Sequence, residues 1–260
     1  MKKRLDQIIS QLYPQWTRSK IQSMIEKGLV QIFDQNWKTV VKPGVKFDEA
    51  LLTQETIKIT LDEEMQYVSR GALKIKKAFE EYRLNPQNKI ALDVGLSTGG
   101  FSDYLLKNGA LKILGVDVGK DQLHPSLKEN NRLVWRDKIN AREGIPRDLL
   151  DGFFGDLNRR SFDLIVIDVS FISLELILPP IVPLLGADGH LVCLVKPQFE
   201  LSKNDLNKKG VVKDPAMGTA SVEKISGVLV QNKLEILGSC SSPIEGENGN
   251  QEYPIVSHRS

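Results

Sequence analysis

Asp168 and Lys196 are the residues of this chain whose types and placement point most directly to chemistry. Each follows an apolar run, residues 164–167 for the acid and 190–195 for the base, that reads as a buried strand. Parallel strands deliver the residues at their carboxyl ends into one crevice, so the two groups should face each other across a site. Such a pair can align a nucleophile and take its proton. An earlier apolar run, residues 89–94, leads Asp93 and Gly95 into a small-residue loop, Ser97-Thr98-Gly99-Gly100, followed by Phe101 and a helix. Glycines let a backbone approach a ligand that a Cβ would push away. The spacing is not Gly-x-Gly-x-x-Gly, because Leu96, Ser97 and Thr98 separate Gly95 from Gly99. The second glycine, which lets a backbone touch a pyrophosphate, is missing. A nucleoside ligand without a pyrophosphate fits better, and S-adenosylmethionine (SAM) is one.

Asp117 ends the next strand, 111–116, at the usual offset for a carboxylate that accepts hydrogen bonds from a ribose. Asn140 closes the stretch 136–140, after strand 133–135, where side chains could bracket an adenine. These two residues suit the adenosine of SAM or of NAD equally. An NAD-linked oxidoreductase is therefore a rival, weakened by the glycine spacing. Cys193 and Cys240 show no Cys-x-x-Cys pattern, and His124, His190 and His258 have no partners at metal spacing, so neither a disulfide framework nor a metal is expected.

The elements that must hold these residues form two blocks. From Ser69 onward a helix precedes alternating strands and helices, the pattern of a doubly wound parallel sheet, closed by strands at 234–238 and 252–257. Before it lie two helices, 3–12 (Leu5, Ile8, Ile9, Leu12) and one capped by Thr17 (Ile21, Met24, Ile25), then short strands at 29–33, 39–41 and 56–61. The first 60 residues hold ten Lys/Arg against six Asp/Glu, whereas the whole chain of 260 is nearly balanced at +2. A basic small module beside a neutral large one suggests that the small module meets a polyanion. No apolar run approaches the roughly 18 residues of a membrane helix. Asp6 and Gln7 interrupt the basic N-terminus before a signal-peptide core. A cytoplasmic protein without stable membrane insertion is expected.

At Arg4-Leu5-Asp6, Thr17-Arg18-Ser19-Lys20 and Lys27-Gly28-Leu29-Val30 the small module resembles the S4 RNA-binding domain, which implies that Arg4, Arg18, Lys20 and Lys27 lie against structured RNA. The chain as a whole resembles the TlyA (hemolysin A) family, an S4 domain joined to an FtsJ-like methyltransferase. The matching runs are residues 67–74, 93–101, 168–174, 196–200, 210–215 and 249–253. The resemblance implies an α/β class I methyltransferase fold, Rossmann-like with a seven-stranded mostly parallel sheet, carrying a small N-terminal S4-like α+β domain. The expected division is 1–61 for the S4-like domain, 62–68 for a linker and 69–260 for the methyltransferase. It further implies a catalytic tetrad at Lys74, Asp168, Lys196 and Glu252. SAM would be bound by Asp93, Gly95, Ser97, Thr98, Gly99, Gly100, Phe101, Asp117, Asn140 and Asp168. The implied reaction is methyl transfer to a ribose 2′-hydroxyl of ribosomal RNA, on a cytidine, with ribosomal RNA or ribosomal subunits as partners. A non-catalytic RNA-binding factor and a membrane-active hemolysin-like protein are the alternatives. The chain departs from the family at Leu96, where alanine is usual and where leucine would crowd the methionine end of SAM. Ala72 replaces a glycine, Gln66 a basic residue, and Phe33-Asp34-Gln35-Asn36 an Asn-Gly turn.

Overall fold

The computed structural model describes residues 2–14, 16–62, 64–155, 157 and 159–259. The chain divides into two compact units, 1–66 and 67–260. The expected linker, 62–68, is split between them, and its Glu63 lies outside the described residues.

The first unit runs β1 (Lys2–Arg4), α1 (Leu5–Leu12), α2 (Arg18–Glu26), β2 (Val30–Asp34), β3 (Asn36–Val40), β4 (Lys46–Asp48) and β5 (Ile57–Ile59). The helical spacing of Leu5, Ile8 and Ile9, and of Ile21, Met24 and Ile25, buries all six side chains against Val30 and Ile32 of β2. The Thr17 hydroxyl accepts the Lys20 amide at 3.3 Å and starts α2. The helix expected from residue 3 begins instead at Leu5. Lys2–Arg4 pairs antiparallel with β4, a two-stranded sheet that three residues per strand are too short to announce by pattern. The other sheet has the order β3-β2-β5. The β2–β3 hairpin reverses at Gln35, whose φ of 60° supplies the left-handed residue that an Asn-Gly turn would have provided.

The second unit opens with α3 (Gly71–Glu81), then β6 (Ile90–Val94), α4 (Gly100–Lys107), β7 (Lys112–Val116), α5 (Pro125–Lys128), β8 (Leu133–Arg136), α6 (Arg147–Phe154) and β9 (Phe162–Ile167). It continues with α7 (Leu174–Ile181), β10 (Leu185–Val195), α8 (Pro197–Glu200), α9 (Ala216–Gln231), β11 (Glu235–Ser239) and β12 (Tyr253–His258). Seven strands form one sheet in the order β11-β12-β10-β9-β6-β7-β8, with only β12 antiparallel to its neighbours. Strands β6 and β9 are apolar on both faces because helices cover both sides, and two separate cores result. The chain leaves β6 toward β7 and β8 and returns to β9 on its other side. The crevice between β6 and β9 is thus the topological switch point where an open α/β sheet receives ligands.

Candidate active site

The loop after β6 is shaped by its glycines. Gly95 has φ +88°, and a Cβ there would lie 2.1 Å from the Asp168 carbonyl oxygen, so only glycine lets the ends of β6 and β9 close together. Gly99 has φ +90°, and its missing Cβ makes room for Leu127 and Leu123. Its task is to let α5 pack beneath the loop. The two glycines of the loop therefore serve different ends.

Two cavities meet at this loop. The larger, about 550 Å³, is walled by Gly95, Ser97, Asp117, Asn140 and Asp168 together with Ser170, Phe171 and Ile139. The smaller, about 150 Å³, is walled by Ser69, Leu96, Thr98, Gly100 and Phe101, and shares Gly95, Ser97 and Asp168 with it. Of the ten residues expected to hold SAM, only Asp93 and Gly99 stay behind the walls. The Leu96 side chain packs into the core, with two methyl carbons 2.8 Å from where a Cβ of Gly115 would stand. Gly115 is the compensation that accommodates leucine in the loop.

Asp117 accepts the Ser97 amide at 2.7 Å and the Gly119 amide at 2.6 Å, one on each carboxylate oxygen. Each oxygen retains a lone pair for a ribose hydroxyl. Asn140 reaches the wall with its side chain committed locally, to Glu143 at 2.7 Å and to the Arg142 amide at 3.3 Å. Asp93 is buried beneath the loop. Its Oδ2 accepts the Ser102 hydroxyl at 2.6 Å, while its buried Oδ1 has no partner. Burial pushes its carboxyl up to about 7 despite the Ser102 hydrogen bond, and the neighbouring Asp168 and Asp117 add to the rise. Asp117 and Asp168 in the crevice wall, with Asp93 behind it, disfavour a pyrophosphate and favour a ligand carrying positive charge, such as a sulfonium with an ammonium. The residues present fit SAM.

Lys196, immediately after β10, brings Nζ to 2.7 Å from Asp168 Oδ1 and donates to Ser170 Oγ at 2.8 Å. The contact with the carboxylate is an ion pair. Lys74 on α3 meets Glu252, the residue before β12, at 2.6 Å, and both side chains are largely buried. The four residues of the expected tetrad thus form two ion pairs within the second unit. Gly246 leaves space for the Glu252 carboxylate, which a Cβ there would overlap.

Sequence reasoning missed three supporting residues. Ser170 orients Lys196, and its place two residues beyond Asp168 was the available signal. Glu200 is buried, bonds the Ser173 hydroxyl and the Leu174 amide at 2.9 Å, and so caps α7; burial raises its carboxyl. Asn250 is buried and holds the 203–213 loop through Val212 N (3.0 Å) and Gly210 O (2.9 Å). No pattern marks either as a loop fastener.

In the first unit, Asp6 is fully buried and gathers Arg4, Arg18 and Gln22. Burial alone would raise its carboxyl, but hydrogen bonds from Arg4, Gln22 and Arg18 outweigh it and hold the group well below the usual carboxylate range. Lys20 donates to the Met65 carbonyl at 3.0 Å, and Lys27 pairs with Asp62 at 2.9 Å. All four residues expected to meet RNA are engaged within the unit. Among the described residues no group of His, Cys, Asp and Glu could hold a metal, and no helix is long and apolar enough to cross a membrane.

The strand order, the glycine loop and the acids at the ends of β7 and β9 define a class I methyltransferase. The model of the family described as FtsJ-like methyltransferase matches residues 67–259. The chain belongs to this family. Hemolysin A of Brachyspira hyodysenteriae is 35% identical over 257 residues, covering 96% of this chain and 97% of that protein. The 16S/23S rRNA (cytidine-2′-O)-methyltransferase TlyA of Mycobacterium tuberculosis is 36% identical over 211 residues, covering 81% of this chain and 75% of that protein. Among solved structures, a candidate hemolysin from Streptococcus thermophilus aligns with a TM-score of 0.70 at 32% identity, covering 100% of this chain and 89% of that one.

Proposed function

We propose that this protein transfers the methyl group of SAM to a ribose 2′-hydroxyl of ribosomal RNA, on a cytidine, in the cytoplasm where ribosomes are assembled. The observation that carries the reading is the Lys196–Asp168 pair beside a crevice walled by Asp117 and Asp168. Bound SAM supplies a methyl carbon already activated by the adjoining sulfonium. Asp117 would take the ribose hydroxyls and Asn140 and Ile139 the adenine edge, while Asp93, behind the loop, would add negative potential toward the positive end of the methionine moiety.

A ribose hydroxyl is a weak nucleophile, so this chain must align it and manage its proton. As the ribose oxygen bonds to the methyl carbon, the carbon–sulfur pair returns to sulfur and the hydroxyl proton leaves. Lys196, oriented by Asp168 and Ser170, stands where its ammonium can stabilise the forming alkoxide, and it can receive the hydroxyl proton only after giving up one of its own to solvent. Lys74, fixed by Glu252, supplies a second ammonium to steer the ribose. Residues 1–61 would act as an S4-like RNA-binding domain. Arg4 and Arg18 each commit Nε and Nη2 to Asp6, which leaves both Nη1 groups for phosphate oxygens.

The test is transfer of radiolabelled methyl from SAM to separated ribosomal subunits taken from cells lacking the protein, followed by digestion to nucleosides. Label in 2′-O-methylcytidine is the expected result. No label on either subunit, with SAM binding intact, contradicts it.

A further inference from the structure

Trp16 and Trp37 both lie in the first unit and differ in their surroundings. Trp16 stacks on Tyr13 at 5.1 Å and packs against the small core. Trp37 does neither. It stands directly across from Phe33 in the β2–β3 ladder, the rings 5.4 Å apart, with 43% of Trp37 and 48% of Phe33 exposed. Strand alternation explains the placement. Val30 and Ile32 point inward to the helices, so Gln31 and Phe33 project to the opposite face. The register adds Thr39 opposite Gln31 on one side and Lys58 opposite it on the other. These five positions carry two aromatic rings, two uncharged hydrogen-bonding side chains and one lysine, with no carboxylate among them.

We infer that this outer sheet face is a stacking platform for unpaired bases of RNA. The inference rests on the RNA substrate proposed above and adds a second mode of contact to the phosphate-directed arginines. Two exposed aromatic rings give an apolar protein partner a small patch, but, inclined at 63° to one another, each can offer a face to a nucleobase splayed from its neighbour, whatever the sequence. Lys58 on the same face complements the phosphates that a stacked strand must bring with it. Duplex RNA keeps its bases inside the stack and offers the rings nothing. The platform therefore selects unpaired nucleotides, such as a loop beside the structured element that the arginines hold.

The experiment uses the full chain, a fluorescently labelled single-stranded oligoribonucleotide of about twelve residues, and the same sequence as a duplex. The single strand should quench part of the protein's tryptophan emission, and Trp37→Phe should abolish that part while keeping affinity. Trp37→Ala should weaken single-strand binding by roughly tenfold, the scale of one lost stacking contact. With ribosomal subunits it should raise KM, leave kcat at saturation unchanged and leave SAM affinity unchanged. Equal binding of the single strand by wild type and Trp37→Ala, or equal competition by the duplex, overturns the platform. So does a Trp37→Ala defect seen with intact subunits but absent with protein-free ribosomal RNA, which would mark a protein contact. Single-strand binding through Trp37 without any methyl transfer supports the platform and removes the reaction proposed above instead.

Discussion

Lys74 and Glu252, 178 positions apart in the chain, meet at 2.6 Å, with only 2% of the Glu252 side chain exposed. The fold makes this possible by inserting the last strand, β12, between β10 and β11, which returns the chain's end to the edge where α3 begins the unit.

Lys74→Ala should cost stability as well as activity, because it leaves Glu252 buried without its counter-charge. Breaking one side of a buried pair costs about 3–5 kcal/mol. The expected result is a lowered melting temperature of the second unit together with loss of methyl transfer. Adding Glu252→Gln should restore much of the melting temperature and little of the transfer. Calorimetry and a methylation assay on the same preparations check both.

Lys196→Ala should lower the rate of transfer by roughly 10²–10⁴-fold, the usual worth of a positioned proton acceptor. SAM affinity by titration calorimetry should stay within a fewfold of wild type. Near-wild-type turnover would remove Lys196 from the chemistry.

Asp93 should make SAM binding depend on pH. Its carboxyl, pushed up to about 7 in the folded chain, binds a proton that the unfolded chain releases at a lower pH. The folded state then holds more protons between roughly pH 4 and 7, so Asp93 makes stability fall as pH rises through that window. A cationic ligand favours the ionised form, so SAM affinity should rise with pH toward 7 and level off above it. Asp93→Asn should flatten that profile and weaken SAM binding. A profile unchanged by Asp93→Asn separates Asp93 from the ligand.

Most of the seven strands of the second unit were legible because they are short apolar runs closed by Gly, Asp or Pro, and every boundary but the start of β10 lay within about two residues. The start of β10 was not, since Gly186, Asp188 and Gly189 interrupt its pattern and the register shifts there. Asp93, Asp117, Asp168 and Lys196 could be placed because strand ends share one edge of a parallel sheet. Lys74 and Glu252 could not be paired by spacing. Only the resemblance to the family joined them, since a helix and an antiparallel last strand carry no periodic link. The small unit was harder, because β1 and β4 have three residues each and the inward turn of Arg4 and Arg18 depends on burying Asp6. The seat of the Leu96 side chain was not legible for a similar reason: it packs against Gly115 on the adjacent strand while still walling the smaller cavity.

Asp6→Ala should release Arg4 and Arg18 together and leave Gln22 without its acceptor. The expected outcome is a less stable first unit and weaker binding to ribosomal RNA, with SAM affinity intact. Because pairing holds the Asp6 carboxyl below its ordinary range, its contribution is present above about pH 4 and is lost as acid protonates it. Acid titration of tryptophan emission in wild type and Asp6→Asn checks this, and a shared acid midpoint would contradict it.

The methyl group is expected on a ribose oxygen and not on a base, and alkaline hydrolysis of the labelled product distinguishes the two. Alkali cleaves RNA through a free 2′-hydroxyl, so a 2′-O-methylated residue survives attached to its 3′ neighbour. Ribosomal RNA labelled by the wild-type protein should release its label as alkali-resistant dinucleotides, and the Lys196→Ala protein should label almost nothing. Label recovered in mononucleotides would place the methyl group on a base and contradict the reaction assigned to Lys196 and Asp168.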